Sequence, residues 1–184
     1  MHILIAGGIG IGKSGLIIEL LRRVRKPVYG FRTEKVNAGG SGCARIYIHP
    51  AAGEKSYTDA NTIGLPAPEN AGSNAEVKAE ANLEVFDGLG VKLLSGIPVG
   101  SIVLMDELGF LESGASAFCS KVLDILGGSY YAIAAVKEKS TPFLESVLSH
   151  QNALTFRMTP DNRDALYDQI LNSLRAHDPS SPFL

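Results

Sequence analysis

The sequence predicts a three-layer α/β fold with a mainly parallel sheet and an antiparallel ribbon inserted beside it. Three observations carry that expectation. Short apolar runs of strand length alternate with longer stretches of helical periodicity, the pattern of parallel strands joined by crossover helices. A glycine-rich turn joins the first apolar run to the first helix. Residues 34–58, in contrast, alternate polar and apolar between turn-dense segments, which reads as a ribbon with one exposed face.

Taken in order, Ile3–Ala6 is short and wholly apolar, as a buried parallel strand is. The first helix is expected over Lys13–Lys26, with Leu16, Leu20 and Leu21 on one face and Pro27 as its stop. Val28–Thr33 reads as the second strand, and Ala44–Ile48 and Lys55–Thr58 as further ribbon strands. Residues 59–78 are rich in Ala, Asn, Pro, Gly and Ser and are expected to form a long irregular loop near a nucleotide or over a substrate. Asn82 is placed to cap a helix carrying Val85, Phe86, Leu89, Leu93 and Leu94 on one face. Ile102–Met105, Tyr130–Val136 and Ala153–Met158 read as strands, and Ala115–Leu126 and Pro142–Leu148 as helices. Thr159 is expected to cap a last helix with Pro160 at its first position. The domain is expected to span 1–177, and the Pro- and Ser-rich end, 178–184, to fray.

The glycine-rich turn carries the chemistry. Gly7-Gly8-Ile9-Gly10-Ile11-Gly12-Lys13-Ser14 fits the phosphate-loop pattern G-x-x-x-x-G-K-[ST], between a strand and a helix as that pattern requires. Glycines let backbone N–H groups converge on a phosphate without Cβ clashes, and the helix N-terminus adds partial positive charge. Gly7 through Gly15 are therefore the candidate nucleotide-binding residues, with Lys13 reaching the β- and γ-phosphates and the Ser14 hydroxyl ligating Mg²⁺.

The run Ile102-Val103-Leu104-Met105-Asp106-Glu107 delivers two carboxylates to a strand end. Asp106 is expected to bind nucleotide through the Mg²⁺ that it shares with Ser14, and Glu107 to activate water as a general base. Asp106-Glu107-Leu108-Gly109 also fits the D-x-x-G of switch GTPases, but no guanine-selecting N-K-x-D follows it. Arg163 falls in the first turn of the last helix, where the dipole disfavours a cation, so it is a candidate nucleotide contact. Arg32, Thr33 and Glu34 sit where a parallel second strand would end, beside a γ-phosphate or substrate.

Composition bounds the alternatives. The 184 residues carry a net charge of −2 and a pI near 6.1, so no global basic field attracts nucleic acid or an acidic membrane. The basic cluster Arg22–Lys26 reads as the solvated end of the first helix. Cys43 and Cys119 lack metal-like spacing and read as small buried hydrophobes. His2, His49, His150 and His177 form no constellation and are expected at the surface. Few cysteines and no long apolar segment or basic leader suggest a cytoplasmic protein without a membrane or nucleic-acid partner.

Four segments together resemble a known family. They are the loop Gly7–Ser14, Gly30-Phe31-Arg32-Thr33-Glu34 (similar to G-F-x-T-E), Asp106-Glu107-Leu108-Gly109, and Thr159-Pro160-Asp161-Asn162-Arg163 (similar to T-x-E-N-R). In that order they resemble the small nucleoside-triphosphatases of archaea, thermophilic bacteria and animals, whose animal members are also called cancer-related nucleoside triphosphatases. The resemblance implies a RecA-like P-loop fold and slow, Mg²⁺-dependent hydrolysis of ATP, GTP and other nucleoside triphosphates. The chain departs from the family's D-E-I-G-K-M-E at Phe110, which stands where a lysine is usual. Lys137 or Lys139 could supply a compensating charge; both also read as solvated loop lysines. A nucleotide or small-molecule kinase would use the same loop, but residues 59–78 hold no arginine for a transferring phosphate. A nucleotide-binding adaptor in cofactor biosynthesis, without turnover, is a third reading that Phe110 leaves open.

Overall fold

The computed structural model describes residues 1–37, 44–66 and 79–184. Cys43 and most of the expected 59–78 loop lie outside them. One eight-stranded sheet runs through the described chain in the order β5-β4-β3-β2-β6-β7-β1-β8. β1 (His2–Gly7), β2 (Val28–Asn37), β6 (Ile102–Leu108), β7 (Tyr131–Lys137) and β8 (Ala153–Met158) are parallel. β3 (Ala44–Pro50), β4 (Thr62–Pro66) and β5 (Ala79–Ala81) extend it antiparallel from β2. The mainly parallel sheet with a ribbon appended is the arrangement the sequence predicts.

Strand alternation divides the core in two. Leu4, Phe31, Val103, Met105, Ala132 and Ala134 face a layer built on α2 (Leu83–Val85), α3 (Val91–Leu93), α4 (Ser116–Gly127) and α5 (Pro142–Leu148). Ile3, Ile5, Ile102, Leu104, Ile133 and Ala135 face α1 (Lys13–Leu21) and α6 (Arg163–His177). The central strands are buried on both faces, which is why they read as unbroken apolar runs. Each such Leu, Ile or Phe contributes about 1.5–3 kcal/mol by leaving water.

Several expectations are corrected. The first helix stops at Leu21. Beyond it the basic cluster is exposed, as expected, with Arg23 over the Tyr167 ring at 5.7 Å and Lys26 over Tyr131 at 5.5 Å. Lys55–Thr58 forms no strand. The Asn61 side chain accepts from Thr58 N–H and donates to Ser56 and Ile48 carbonyls, pulling the chain into a 3₁₀ turn, Asp59–Asn61. Thr62–Pro66, expected as loop, is strand β4. It lies at the ribbon end of the sheet, separated from β1 by β3, β2, β6 and β7.

Asn82 does cap α2, accepting from Val85 N–H at 3.4 Å, but a π-helical turn, Phe86–Gly90, separates α2 from α3. Thr159 does not cap the last helix. Asn162 accepts from Thr159 N–H and donates to Arg157 O, folding 159–162 into a turn, so that α6 begins at Arg163. His2 and His49 are buried rather than exposed, and Cys119 is only half-buried. The end of the chain is not frayed: Phe183 is fully buried among the side chains beneath α1 and α6. No helix among the described residues is long and apolar enough to cross a membrane.

Candidate active site

At the C-terminal edge of the parallel strands, where open α/β sheets hold their ligands, a cleft of about 260 Å³ opens. Gly10, Gly12, Lys13, Ser14, Thr33, Asp106 and Glu107 line it. Three strand ends supply these groups because β1 and β6 flank β7 and β2 lies beside β6. A larger groove, about 500 Å³, lies at the opposite ends of the strands beside Met1, His2 and Tyr131. Both ring nitrogens of its His2 are satisfied: Nε2 donates to Leu126 O and Nδ1 accepts from Ala132 N–H. Burial lowers the His2 pKa to about 4, as expected of a neutral structural imidazole.

The loop that follows β1 turns on two left-handed glycines, Gly10 at φ 76° and Gly12 at φ 101°. Only glycine takes such angles without steric cost. Gly12 is also the N-cap of α1, so the loop amides and the helix start share one concavity. Gly8 and Ile9 lie at the exposed rim, and Ile11 tucks its side chain beneath toward the core. Lys13 is buried. Its ammonium donates to Gly7 O at 2.9 Å and Gly8 O at 2.7 Å and stands 3.3 Å from Glu107 Oε2.

Asp106 and Glu107 are adjacent in sequence, yet both reach the cleft. The pairing of β6 with β7 shifts there: two residues of β6, from Asp106 to Leu108, advance against one residue of β7. Such an irregularity re-aims side chains that would otherwise alternate across the sheet. Asp106 Oδ1 accepts from Ser14 Oγ at 2.9 Å. Glu107 spans two cations, Lys13 at Oε2 and Lys137 Nζ at 2.9 Å from Oε1. Its backbone N–H donates to Thr33 Oγ1 at 3.3 Å. Burial raises the Asp106 pKa; the Ser14 bond opposes it, neighbouring Glu107 adds to it, and Lys13 and Arg32 also oppose it.

Of the three β2 residues singled out in sequence, Thr33 lines the cleft. Arg32 is the register neighbour of Asp106 and donates to Gly53 O. Glu34 turns away to Lys55 at 2.8 Å and the Tyr57 hydroxyl at 3.0 Å. Arg163, at the start of α6, lies against the loop: its Nε would be 3.4 Å from a Cβ at Gly12, and its Nη2 3.3 Å from one at Gly15. Glycine at both positions leaves the space that the guanidinium occupies.

The family model described as NTPase matches residues 2–171 of this sequence. The chain belongs to that NTPase family. It is 31% identical to nucleoside-triphosphatase THEP1 of Thermotoga petrophila over 95% of this chain and 93% of that protein. It is 25% identical to the cancer-related nucleoside-triphosphatase of Homo sapiens over 95% of this chain and 97% of that one. The crystal structure of THEP1 from Aquifex aeolicus superposes with a TM-score of 0.67 at 22% identity, covering 95% of this chain and 99% of that one. The last likeness is one of fold: the family's P-loop α/β sheet carries this chain's cleft.

One contributor has no role in the sequence expectations. Glu112 is almost fully buried and accepts from Gly109 N–H, which fixes the turn after Glu107. Burial raises the Glu112 pKa against those backbone bonds. Its sequence signal is the closing acid of the run similar to D-E-I-G-K-M-E, three residues after Gly109.

Proposed function

We propose that this NTPase-family protein hydrolyses nucleoside 5'-triphosphates, ATP and GTP among them, to the diphosphate and phosphate in a Mg²⁺-dependent reaction. The observation that carries the reading is the convergence of Ser14 with Asp106, and of Lys13 with Glu107, in one cleft under the glycine loop. In this reading the amides of the Gly7–Gly15 segment and Lys13 take the phosphates. Lys13 gives up its bonds to Gly7 O and Gly8 O to do so. Arg163, over Gly12 and Gly15, contacts the nucleotide from the other side of the loop.

Ser14 Oγ and Asp106 Oδ1 are hard oxygen donors side by side in the cleft, and the hydrogen-bond partner of the Asp106 carboxylate there is a hydroxyl. That donor set fits Mg²⁺, which keeps several waters and takes few carboxylates. Bound there, the ion would supply charge against the phosphate oxygens. Glu107 orients the attacking water and takes its proton. The water oxygen bonds to the γ-phosphorus, the bond to the bridging oxygen breaks, and the nucleoside diphosphate leaves with that electron pair.

The test is phosphate release from ATP and GTP, with and without Mg²⁺ and with no added acceptor, for the wild type and Glu107→Gln. Expected is Mg²⁺-dependent release that falls by about 100-fold or more in the variant, with nucleotide binding retained. Release at the wild-type rate from Glu107→Gln would refute the base assignment. Tight binding without any release by the wild type would refute hydrolysis.

A further inference from the structure

We propose that Lys137 is a γ-phosphate-binding residue, and that the Glu107 carboxylate holds the place of that phosphate until a triphosphate arrives. The inference rests on the reading of this cleft as a triphosphate site. Lys137 ends β7, the strand between β1 and β6, and is the register partner of Gly7, where the glycine loop begins. Its ammonium and that of Lys13 approach the two oxygens of one carboxylate, at 2.9 and 3.3 Å. Two cations around one anion is an arrangement made for a group with more negative charge than a carboxylate. The terminal phosphate of a nucleoside triphosphate is such a group, and it belongs at the end of the loop that Lys13 marks.

The surroundings hold Lys137 in that direction. A Cβ at Gly109 would lie 3.1 Å from Lys137 Cδ, so the lysine stem passes where the chain has no side chain. Glu112 fixes that turn through Gly109 N–H. The Phe110 ring walls the outer side, 5.8 Å from Lys137 Nζ, and takes the Lys139 ammonium at 3.9 Å on its face. Lys137 is itself largely covered, its side chain 21% exposed, unlike a solvated loop lysine. When a triphosphate enters, both ammoniums transfer to its oxygens. Glu107 thereby loses both of its ion-pair partners and is free to turn to water. The same movement binds the substrate and readies the general base.

A diphosphate leaves the Lys137 position empty, so the role predicts discrimination rather than general affinity. The experiment measures dissociation constants for the non-hydrolysable β,γ-imido analogue of ATP and for ADP, both with Mg²⁺, by titration calorimetry. The proteins are wild type, Lys137→Met, Lys137→Gln, Lys137→Arg and Lys139→Met, each checked by thermal unfolding. Loss of a charge-assisted contact predicts analogue binding about tenfold or more weaker in Lys137→Met and Lys137→Gln, with ADP within about twofold. Lys137→Arg recovers part of the loss, and Lys139→Met behaves as wild type. Equal weakening of both ligands, or of neither, would overturn the proposal. So would a wild type that binds the analogue no better than ADP. A wild type that releases no phosphate yet prefers the analogue through Lys137 would refute hydrolysis and leave this assignment standing.

Discussion

Asp106 and Glu107 are chemically almost the same group, one bond apart along the chain, and the structure gives them different partners. Asp106 meets a hydroxyl and Glu107 meets two ammoniums. The proposed roles follow that difference: a metal ion beside Asp106, and a phosphate in the place that Glu107 now takes between the ammoniums. Arg163 is the third residue whose surroundings argue for a ligand. It places a cation at the N-terminal end of α6, where the dipole opposes it, and against the N-terminal end of α1. A phosphate or ribose oxygen between those positive ends would compensate. Arg163→Ala should therefore raise KM for ATP about tenfold while changing kcat by less than about threefold, and leave the melting temperature unchanged or slightly higher. Steady-state kinetics with a parallel thermal melt decide it. An unchanged KM would remove Arg163 from the binding site.

At the scale of elements, β2 is the strand on which the site depends without contributing a charged group that enters it. Gly30 has φ 94°, and a Cβ built on it would collide with the Leu104 carbonyl of β6. Phe31 beside it is buried against Phe118 at 5.5 Å between ring centres. Together they fix where β2 ends, and hence where Thr33 meets Glu107 N–H. Gly30→Ala must either adopt a strained backbone or part β2 from β6, so it should cost at least about 2 kcal/mol. A urea titration reads the loss, and phosphate release should fall in the same variant because Thr33 moves with the strand. Wild-type stability would mean that the strands separate there at little cost. The sequence made β1, β6 and β7 legible because double-sided burial leaves an unmistakable apolar run. It made the loop legible because few residue types can replace its glycines, lysine and serine. β4 was not legible, since Thr-Ile-Gly-Leu-Pro sits in a stretch whose composition otherwise signals a loop. Nor was the start of α6, where the Asn162 side chain outbids Thr159 for the turn. The pairing of Lys137 with Glu107 depends on strand order, a long-range property that local periodicity does not carry.

The whole molecule is asymmetric along its strands. One end of the sheet is open and lined with charge, and at the other the two chain termini meet. The Met1 ammonium pairs with Asp178 Oδ2 at 3.2 Å, and Ser181 N–H donates to Asp178 O, turning the chain back. Phe183 then enters the same core as Ile3, Ile5, Ile170 and Leu174, with no exposed surface. A tail of seven residues rich in Pro and Ser carries no periodic signal, so one aromatic near its end was invisible as a core residue in sequence. If the fold ended at 177, removing the phenyl ring would matter little. The buried ring predicts the opposite: Phe183→Ala should lower unfolding free energy by about 3–5 kcal/mol, the usual cost of emptying a filled aromatic site. No residue that lines the cleft also lines the groove at this end of the sheet, so kcat and KM should match wild type at temperatures where the variant stays folded. Chemical denaturation paired with kinetics at low temperature tests both halves. Unchanged stability would show that the tail detaches in solution, while lost activity in a folded variant would show that the two ends of the sheet are coupled.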